Sequence, residues 1–290
     1  MFVITLIADP QRRNLDPALP TSLRNAWGGG DVTWLSPDEA AEFPVERLPG
    51  NFWTAWEDCR ELGVDMVPVP AENRRKRLLL ADMDSTLIQQ ECIDELAAEA
   101  GFGEQVSAIT ARAMNGELDF EQAIDERVGL LAGLPVDVIT KVLAERITYM
   151  PGGKTLVATM KASGAYCALV SGGFTEFTGP VATHLGMDEH RANVLLRDGA
   201  VLSGAVQHPI LGRAAKVEAL DQISAKQGIT VQDAIAVGDG ANDLGMLGRA
   251  GMGVALHAKP AVAAQCDIRI NYGDLTALLY LQGYNRDEFS

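Results

Sequence analysis

The sequence predicts an α/β protein, a parallel sheet with helices on both faces that carries an inserted helical cap and follows a small α/β domain. Three observations predict this. From Leu78 onward the short apolar runs "LLLADM", "AYCALVS", "AIAVGD", "GMGVAL" and "CDIRI" alternate with helical patterns, and such alternation builds a Rossmann-like parallel sheet. Residues 94–149 break the alternation and read as helices only, which places an insertion over the end of the first of these strands. Ahead of Leu78 lies a shorter strand-helix-strand unit, so the expected division is residues 1–72, then 73–290, with the cap at 94–149.

In the leading unit "FVITLIA" reads as a strand and "NFWTAWEDCREL" as a helix. Asn51 is its expected N-cap, Phe52, Trp53, Trp56 and Leu62 its apolar set and Gly63 its stop. "VDMVPVP" follows as a second strand. The basic stretch "AENRRKR" is expected to be a solvated linker rather than a localisation signal. In the cap, Asp119 with Gln122 forms a capping-box-like start. Phe120, Ile124, Arg127 and Leu131 then follow helical spacing, which puts Arg127 on the apolar face. An arginine there needs an anion, supplied either by a ligand or by one of the local acids.

Lys and Arg number 24 against 39 Asp and Glu, for a formal charge of −15. This argues against a nucleic-acid or anionic-membrane binder, which needs a positive footprint. Cys59, Cys92, Cys167 and Cys266 form no C-x-x-C pair. A reducing cytoplasm is therefore expected, with neither a disulfide framework nor a zinc site. The opening "MFVITLIADPQRR" is too short in its apolar part to span a bilayer and has no signal-peptide pattern, so a soluble, uncleaved chain is expected.

Chemistry in such sheets collects at the carboxyl ends of the strands. Three ends carry unusual clusters: "DMDST" at 82–86, "SGGF" at 171–174 and "GDGAND" at 238–243. Asp82 and Asp84 lie two apart, on one side of the backbone if the strand persists, where two carboxylates share a proton or bind a cation. Asp239, with Asn242 and Asp243 behind it, completes a hard-oxygen set suited to Mg²⁺, although each of these loops taken alone also reads as an ordinary turn. Ser171 offers a hydroxyl, and Gly172 and Gly173 offer amides where the next helix is expected to begin, a place that attracts phosphate. Lys216, a lone lysine on a helix, reads by itself as a solvated surface residue. No histidine falls in these clusters, so His184, His190, His208 and His257 are expected to be structural or exposed.

The ordered set D-M-D-S-T, S-G-G, a lysine and G-D-G-x-N-D resembles the haloacid dehalogenase (HAD) superfamily of aspartate-nucleophile phosphohydrolases. Within it, "DMDSTLIQQECIDELA" and "DFEQAIDERVGLL" are similar to the phosphoserine phosphatase family. The resemblance implies the HAD fold and Mg²⁺-dependent hydrolysis of O-phosphoserine in the last step of serine biosynthesis. It implies Asp82 as nucleophile, Asp84 as general acid and base, and metal held by Asp82, Asp239 and the Asp84 carbonyl. Ser171, Gly172 and Lys216 would meet the phosphoryl group, Asn242 and Asp243 would support the metal's water shell and Lys216, and Gly173 would support the loop. Glu91 would meet the substrate ammonium and Arg127 its carboxylate, with Met114 and Phe120 closing over it. A phosphatase or phosphotransferase acting on another small phosphomonoester, such as phosphohomoserine with homoserine as acceptor, is the nearest alternative. Many bacterial members carry an ACT-type regulatory domain, and the order in residues 1–72 is compatible with a reduced one. That leaves it to bind an amino acid, to mediate a homodimer or to cover the core, with the structural roles favoured.

Overall fold

The computed structural model describes residues 1–114 and 117–290, and the side chain of Met114, assigned above to the lid, lies outside the described residues. The leading unit runs β1 (Phe2–Ala8), α1 (Ala18–Trp27), β2 (Thr33–Ser36), β3 (Ala40–Val45), α2 (Phe52–Glu61) and β4 (Val64–Pro70). Its sheet has the order β2-β3-β1-β4 with every pair antiparallel, which is the ferredoxin-like βαββαβ arrangement. The sequence showed only three of these six elements. Strand alternation sorts the two faces: Ile4, Leu6 and Ala8 pack with Phe43, Phe52 and Trp56 under the helices, whereas Ile7, Val67 and Val69 join the core of the following domain.

Two local expectations are corrected here. Asn51 stands at the start of α2 but does not cap it; its Oδ1 accepts from Trp27 Nε1 at 3.0 Å. Trp53 and Leu62 are 40% and 59% exposed, so the buried stripe of α2 is Phe52, Ala55, Trp56 and Cys59.

The basic stretch is a linker that is only partly solvated, with Glu72, Asn73, Arg75 and Arg77 exposed but Arg74 and Lys76 drawn in. Arg74 pairs with Glu42 at 2.6 Å and donates to the Tyr280 and Leu281 carbonyls. Arg75 pairs with Glu288 and stacks on Tyr284, and Lys76 is buried with its Nζ donating to the Gln232 carbonyl at 2.8 Å. Arg74 bolts the two units together, while Arg75 and Lys76 fasten the connecting stretch to the second. A second bolt is Asp65 on β4, buried, whose carboxylate accepts the backbone amides of Asn271, Tyr272 and Gly273 at 2.8, 3.0 and 2.9 Å. Burial pushes this carboxyl up while the three amides pull it down. Asp65→Ala strands three donors at once, one buried and two half-buried, and is expected to cost about 3 kcal/mol, read as a lower urea midpoint at unchanged m-value. A midpoint equal to wild type would mean that the 271–273 loop re-solvates and that Asp65 does not hold the units.

The second unit begins with β5 (Leu78–Ala81), followed by the cap helices α3 (Cys92–Glu99), α4 (Gly103–Met114), α5 (Phe120–Gly129) and α6 (Asp137–Glu145). The chain enters and leaves the cap through paired extended segments: Ile88 bridges Tyr149, with Gln89 N–H donating to the Thr148 carbonyl and Met150 N–H to that of Leu87. Then come α7 (Gly153–Ala162), β6 (Tyr166–Phe174), α8 (Thr175–Leu185), β7 (Glu189–Asn193), and the antiparallel pair β8 (Leu195–Asp198) and β9 (Val201–Val206). This pair was not anticipated, and β9 braces the cap through backbone bonds between Leu202 and residues 133–134. The chain closes with α9 (Arg213–Lys226), β10 (Ala234–Gly238), α10 (Leu244–Arg249), β11 (Met252–Leu256), α11 (Pro260–Ala263), β12 (Ile268–Ile270) and α12 (Ala277–Leu281).

The main sheet has the order β12-β11-β10-β5-β6-β7 and is parallel throughout. The chain proceeds from β5 to β6 on one side and later returns to β10 on the other. The strand order therefore reverses at β5, and the crevice above that point is where open α/β sheets bind ligands. Among the described residues no helix is long and apolar enough to cross a membrane.

Candidate active site

Above the carboxyl ends of β5, β6 and β10, and below the cap, lies a cavity of about 670 Å³. Asp82, Asp84, Glu91, Phe120, Arg127, Ser171, Gly172, Gly173, Asp239 and Asn242 all line it. Ten of the residues singled out in the sequence thus meet at one place. Lys216 and Asp243 lie beneath it, fully buried.

Asp82 follows β5 directly, its amide donating to the Val237 carbonyl of β10. Its carboxylate is held at both oxygens, Oδ1 by the Met83 amide at 2.8 Å and Oδ2 by Lys216 Nζ at 2.8 Å. Lys216 Nζ also lies 2.6 Å from Asp243 Oδ1, and Asp243 Oδ2 accepts from the Gly240 amide at 3.0 Å. The lysine is therefore no surface residue. Burial works against its charge, but Asp82 and Asp243 outweigh it and hold the ammonium above its ordinary pKa.

Strand geometry ends at Ala81, so Asp82 and Asp84 share the cavity through a turn rather than through the pleat. Ser85 bends that turn with φ of 55°, and its hydroxyl donates to Glu91 Oε1 at 2.9 Å, fixing the third acid of the segment. Asp84 accepts the Cys92 amide at 2.9 Å, at the start of α3. Burial first, then Glu91 and Asp82, push its carboxyl up to about 7. Burial and Asp82 likewise push Asp239 to about 6, with Thr86 donating to it at 3.3 Å.

Oxygens of Asp82, Asp239 and Asp243 lie within 4.8 Å of one another. A buried all-carboxylate set fits a hard divalent cation that retains water ligands. Asp243 joins Asp82 and Asp239 in this side-chain set, to which the Asp84 carboxylate does not belong, but both Asp243 oxygens are already engaged by Lys216 and Gly240. Its geometry is that of an anchor for the lysine.

The S-G-G segment departs from expectation. It does not open a helix; β6 continues through Phe174 with a register shift between Val170 and Phe174, and α8 starts only at Thr175. Extended backbone thus brings Ser171 and Gly172 over the acids. The Gly173 amide is spent on Ser171 Oγ at 2.9 Å. A Cβ on Gly173 would stand 2.8 Å from Asp84 Oδ2, so glycine is needed for the close approach.

From the cap, Asp119 and Gln122 form the expected reciprocal capping box, 2.8 and 3.1 Å. Phe120 leans across onto the core, its ring 3.1 Å from the Cβ position of Gly172. Arg127 turns toward the cavity with Nε donating to its own helix at Ala123, 3.0 Å. Burial pulls its guanidinium below the ordinary value while Asp94, Glu91 and Asp84 pull it back up.

The sequence did not single out Thr110 and Lys259, which also line the cavity. Lys259 follows the carboxyl end of β11, so the strand-end rule could have found it. Thr110 Oγ1 is buried without a partner among the described residues, and a threonine in mid-helix gives no such signal. The histidines lie elsewhere: His184 stacks on Tyr149, His190 bonds Thr178, His257 bonds the Gly273 carbonyl and His208 lies 3.7 Å from Asp125.

Residues 79–248 match the family model of haloacid dehalogenase-like hydrolases. A phosphoserine phosphatase of Streptomyces coelicolor is 45% identical over 257 residues, 87% of this chain but 62% of that protein. The chain therefore spans less than two thirds of that relative. A probable phosphoserine phosphatase of Schizosaccharomyces pombe is 42% identical over 83% of this chain and 84% of its own length. Among solved structures, a HAD family hydrolase from Salmonella enterica serovar Typhi superposes over 99% of both chains, with TM-score 0.86 and 31% identity.

Proposed function

The chain belongs to the haloacid dehalogenase-like hydrolase family, and from that premise we propose that it hydrolyses O-phospho-L-serine to L-serine and phosphate, the last step of serine biosynthesis. One observation carries the substrate: Glu91 and Arg127, of opposite charge and from different segments, face the same cavity as Asp82 and Asp84. An α-amino acid presents an ammonium and a carboxylate to such a pair, and its phosphate reaches the acids below.

In this reading an Asp82 oxygen attacks phosphorus as the bond to the serine oxygen breaks, and that oxygen takes a proton from Asp84. Water then attacks the phosphorus of the aspartyl-phosphate, giving its proton to Asp84 and releasing Asp82 as carboxylate. A carboxyl pushed up to about 7 by burial, Glu91 and Asp82 is suited to both proton transfers near neutral pH. Mg²⁺, held by Asp82, Asp239 and the Asp84 carbonyl, would neutralise the carboxylates and a phosphate oxygen. Lys216, fixed by Asp243, and Ser171 and Gly172 supply the remaining donors. Asn242 would support the metal's water shell, and Phe120 would cover the bound substrate. All four cysteines are free and buried, which suits the reducing cytoplasm assigned to the chain. Residues 1–72 we assign to bracing the core, whose apolar cluster they share.

The test is phosphate release with Mg²⁺ from O-phospho-L-serine, O-phospho-L-threonine, phosphohomoserine and p-nitrophenyl phosphate, with homoserine added to one arm as acceptor. Phosphoserine is expected to be preferred. Arg127→Ala is expected to cost about 10- to 100-fold in kcat/KM on phosphoserine, the worth of one charge-assisted hydrogen bond, and much less on p-nitrophenyl phosphate. Fast turnover of p-nitrophenyl phosphate with none of phosphoserine would overturn the substrate. Transfer to homoserine in place of release would overturn hydrolysis.

A further inference from the structure

The cavity wall carries four carboxylates, Asp82, Asp84, Glu91 and Asp239, against two cations, Arg127 and Lys259. Lys216 is not on that wall; it is buried beneath and committed to Asp82 and Asp243. An O-phosphoamino acid brings a phosphate and a carboxylate into this acidic enclosure, and the cations available to the carboxylate are therefore the two on the wall.

Arg127 spends its Nε–H on the Ala123 carbonyl and keeps its two terminal nitrogens for a ligand carboxylate, whose remaining lone pairs stay open to a further donor. Lys259 stands on the core side of the cavity, at the head of α11, facing the cap. Both cations reach one region: burial raises the Asp94 carboxyl, in the first turn of α3, above its ordinary value, and Arg127 and Lys259 both pull against that rise, Lys259 pulling on Asp239 as well. Neither cation is within 4.0 Å of that carboxylate or of any other among the described residues. They converge on one region from opposite walls without neutralising a protein group in contact. That is the disposition of a site for a ligand carboxylate.

Resting on the phosphoserine reading above, we propose that Lys259 is a further specificity-determining residue, a core-side cation that shares the substrate carboxylate with Arg127 of the cap. Because one cation lies on the core and the other on the cap, a substrate carboxylate between them also holds the cap against the core while the phosphoryl group is transferred. A phosphomonoester lacking the carboxylate gains neither effect.

Lys259 is exposed, so Lys259→Gln and Lys259→Arg should fold as wild type does. The experiment compares steady-state kinetics of wild type and both variants on O-phospho-L-serine and on O-phosphoethanolamine, which keeps the phosphate and ammonium but has no carboxylate. The ratio of kcat/KM between the two substrates is expected to fall about tenfold in Lys259→Gln. Most of that fall should lie in KM for phosphoserine, and Lys259→Arg should restore most of it. Equal losses on both substrates would overturn the proposal, because they would make Lys259 a general attractor of phosphate. An unaltered ratio would overturn it as well. Wild type that hydrolyses phosphoethanolamine but not phosphoserine would instead sink the substrate reading itself, a failure visible before any variant is compared.

Discussion

Asp82→Asn is expected to abolish phosphate release from O-phospho-L-serine, a loss of at least about 10⁴-fold in kcat. The amide keeps the shape of the carboxylate, but its oxygen is uncharged and too weak a nucleophile to form the bond to phosphorus. It also disturbs what surrounds it. Asp82 now accepts from two donors, the Met83 amide and Lys216 Nζ, one on each oxygen. An asparagine has one acceptor and one donor at those positions, so in either orientation an NH₂ faces an N–H. The structural consequence is separable from the chemical one by measuring the melting transition of the variant, and by quenching wild type in acid during turnover and locating the alkali-labile phosphate by peptide mapping. Label on the Asp82 peptide, absent from the variant, is the expected outcome. Residual activity within about tenfold of wild type would assign the nucleophile elsewhere.

What the sequence made legible was local. The apolar runs ending in acids mark β5 and β10, and the Asp119–Gln122 box fixes the start of α5 because its partners are three residues apart. The burial of Lys216 was invisible for the opposite reason. Its partners lie on two other strand ends, Asp82 and Asp243, and nothing in α9 distinguishes it from an exposed lysine until the sheet closes. The same distance hides the role of Arg74, Arg75 and Lys76, whose acceptors Glu42, Glu288 and Gln232 are supplied by three separate parts of the chain. In the leading unit, β3 contains Glu42 and Pro44 and β2 has only four residues, so neither makes the apolar run that reveals a strand. Ser171, Gly172 and Gly173 imitate a helix start; neighbouring strand pairing, with Asn193 Nδ2 donating to the Gly172 carbonyl at 2.9 Å, holds them extended. Local chemistry therefore identified the acids, and only tertiary contacts could reveal what neutralises them.

That neutralisation sets the second large effect. Lys216→Met leaves Asp82 and Asp243 buried without their shared cation, and breaking a buried pair by removing one partner costs about 3–5 kcal/mol. The loss is bounded by the ability of the carboxylates to take up a proton, since burial and Asp82 already push Asp243 to about 7. The sign follows from this. With its cation gone, Asp243 stays raised above its unfolded value, so protonation stabilises the fold, and the deficit relative to wild type should shrink as pH falls below neutrality. In wild type the ammonium is raised above its ordinary pKa. Its contribution is complete below about 10.4 and is lost as pH rises through the folded-state value, so the deficit shrinks again at the alkaline end. Urea midpoints of wild type and Lys216→Met across pH should therefore differ most between neutral and mildly alkaline conditions. A difference independent of pH would mean that the methionine is penalised for its shape and that the ion pairs are not what Lys216 contributes. Turnover should fall together with stability, by at least about 10²-fold, because the lysine holds Asp82 and, in the function proposed above, donates toward the transferring phosphoryl group. Lys216→Arg should not restore it, since a planar guanidinium has no room in a fully buried slot shaped for an ammonium 2.8 and 2.6 Å from two carboxylates.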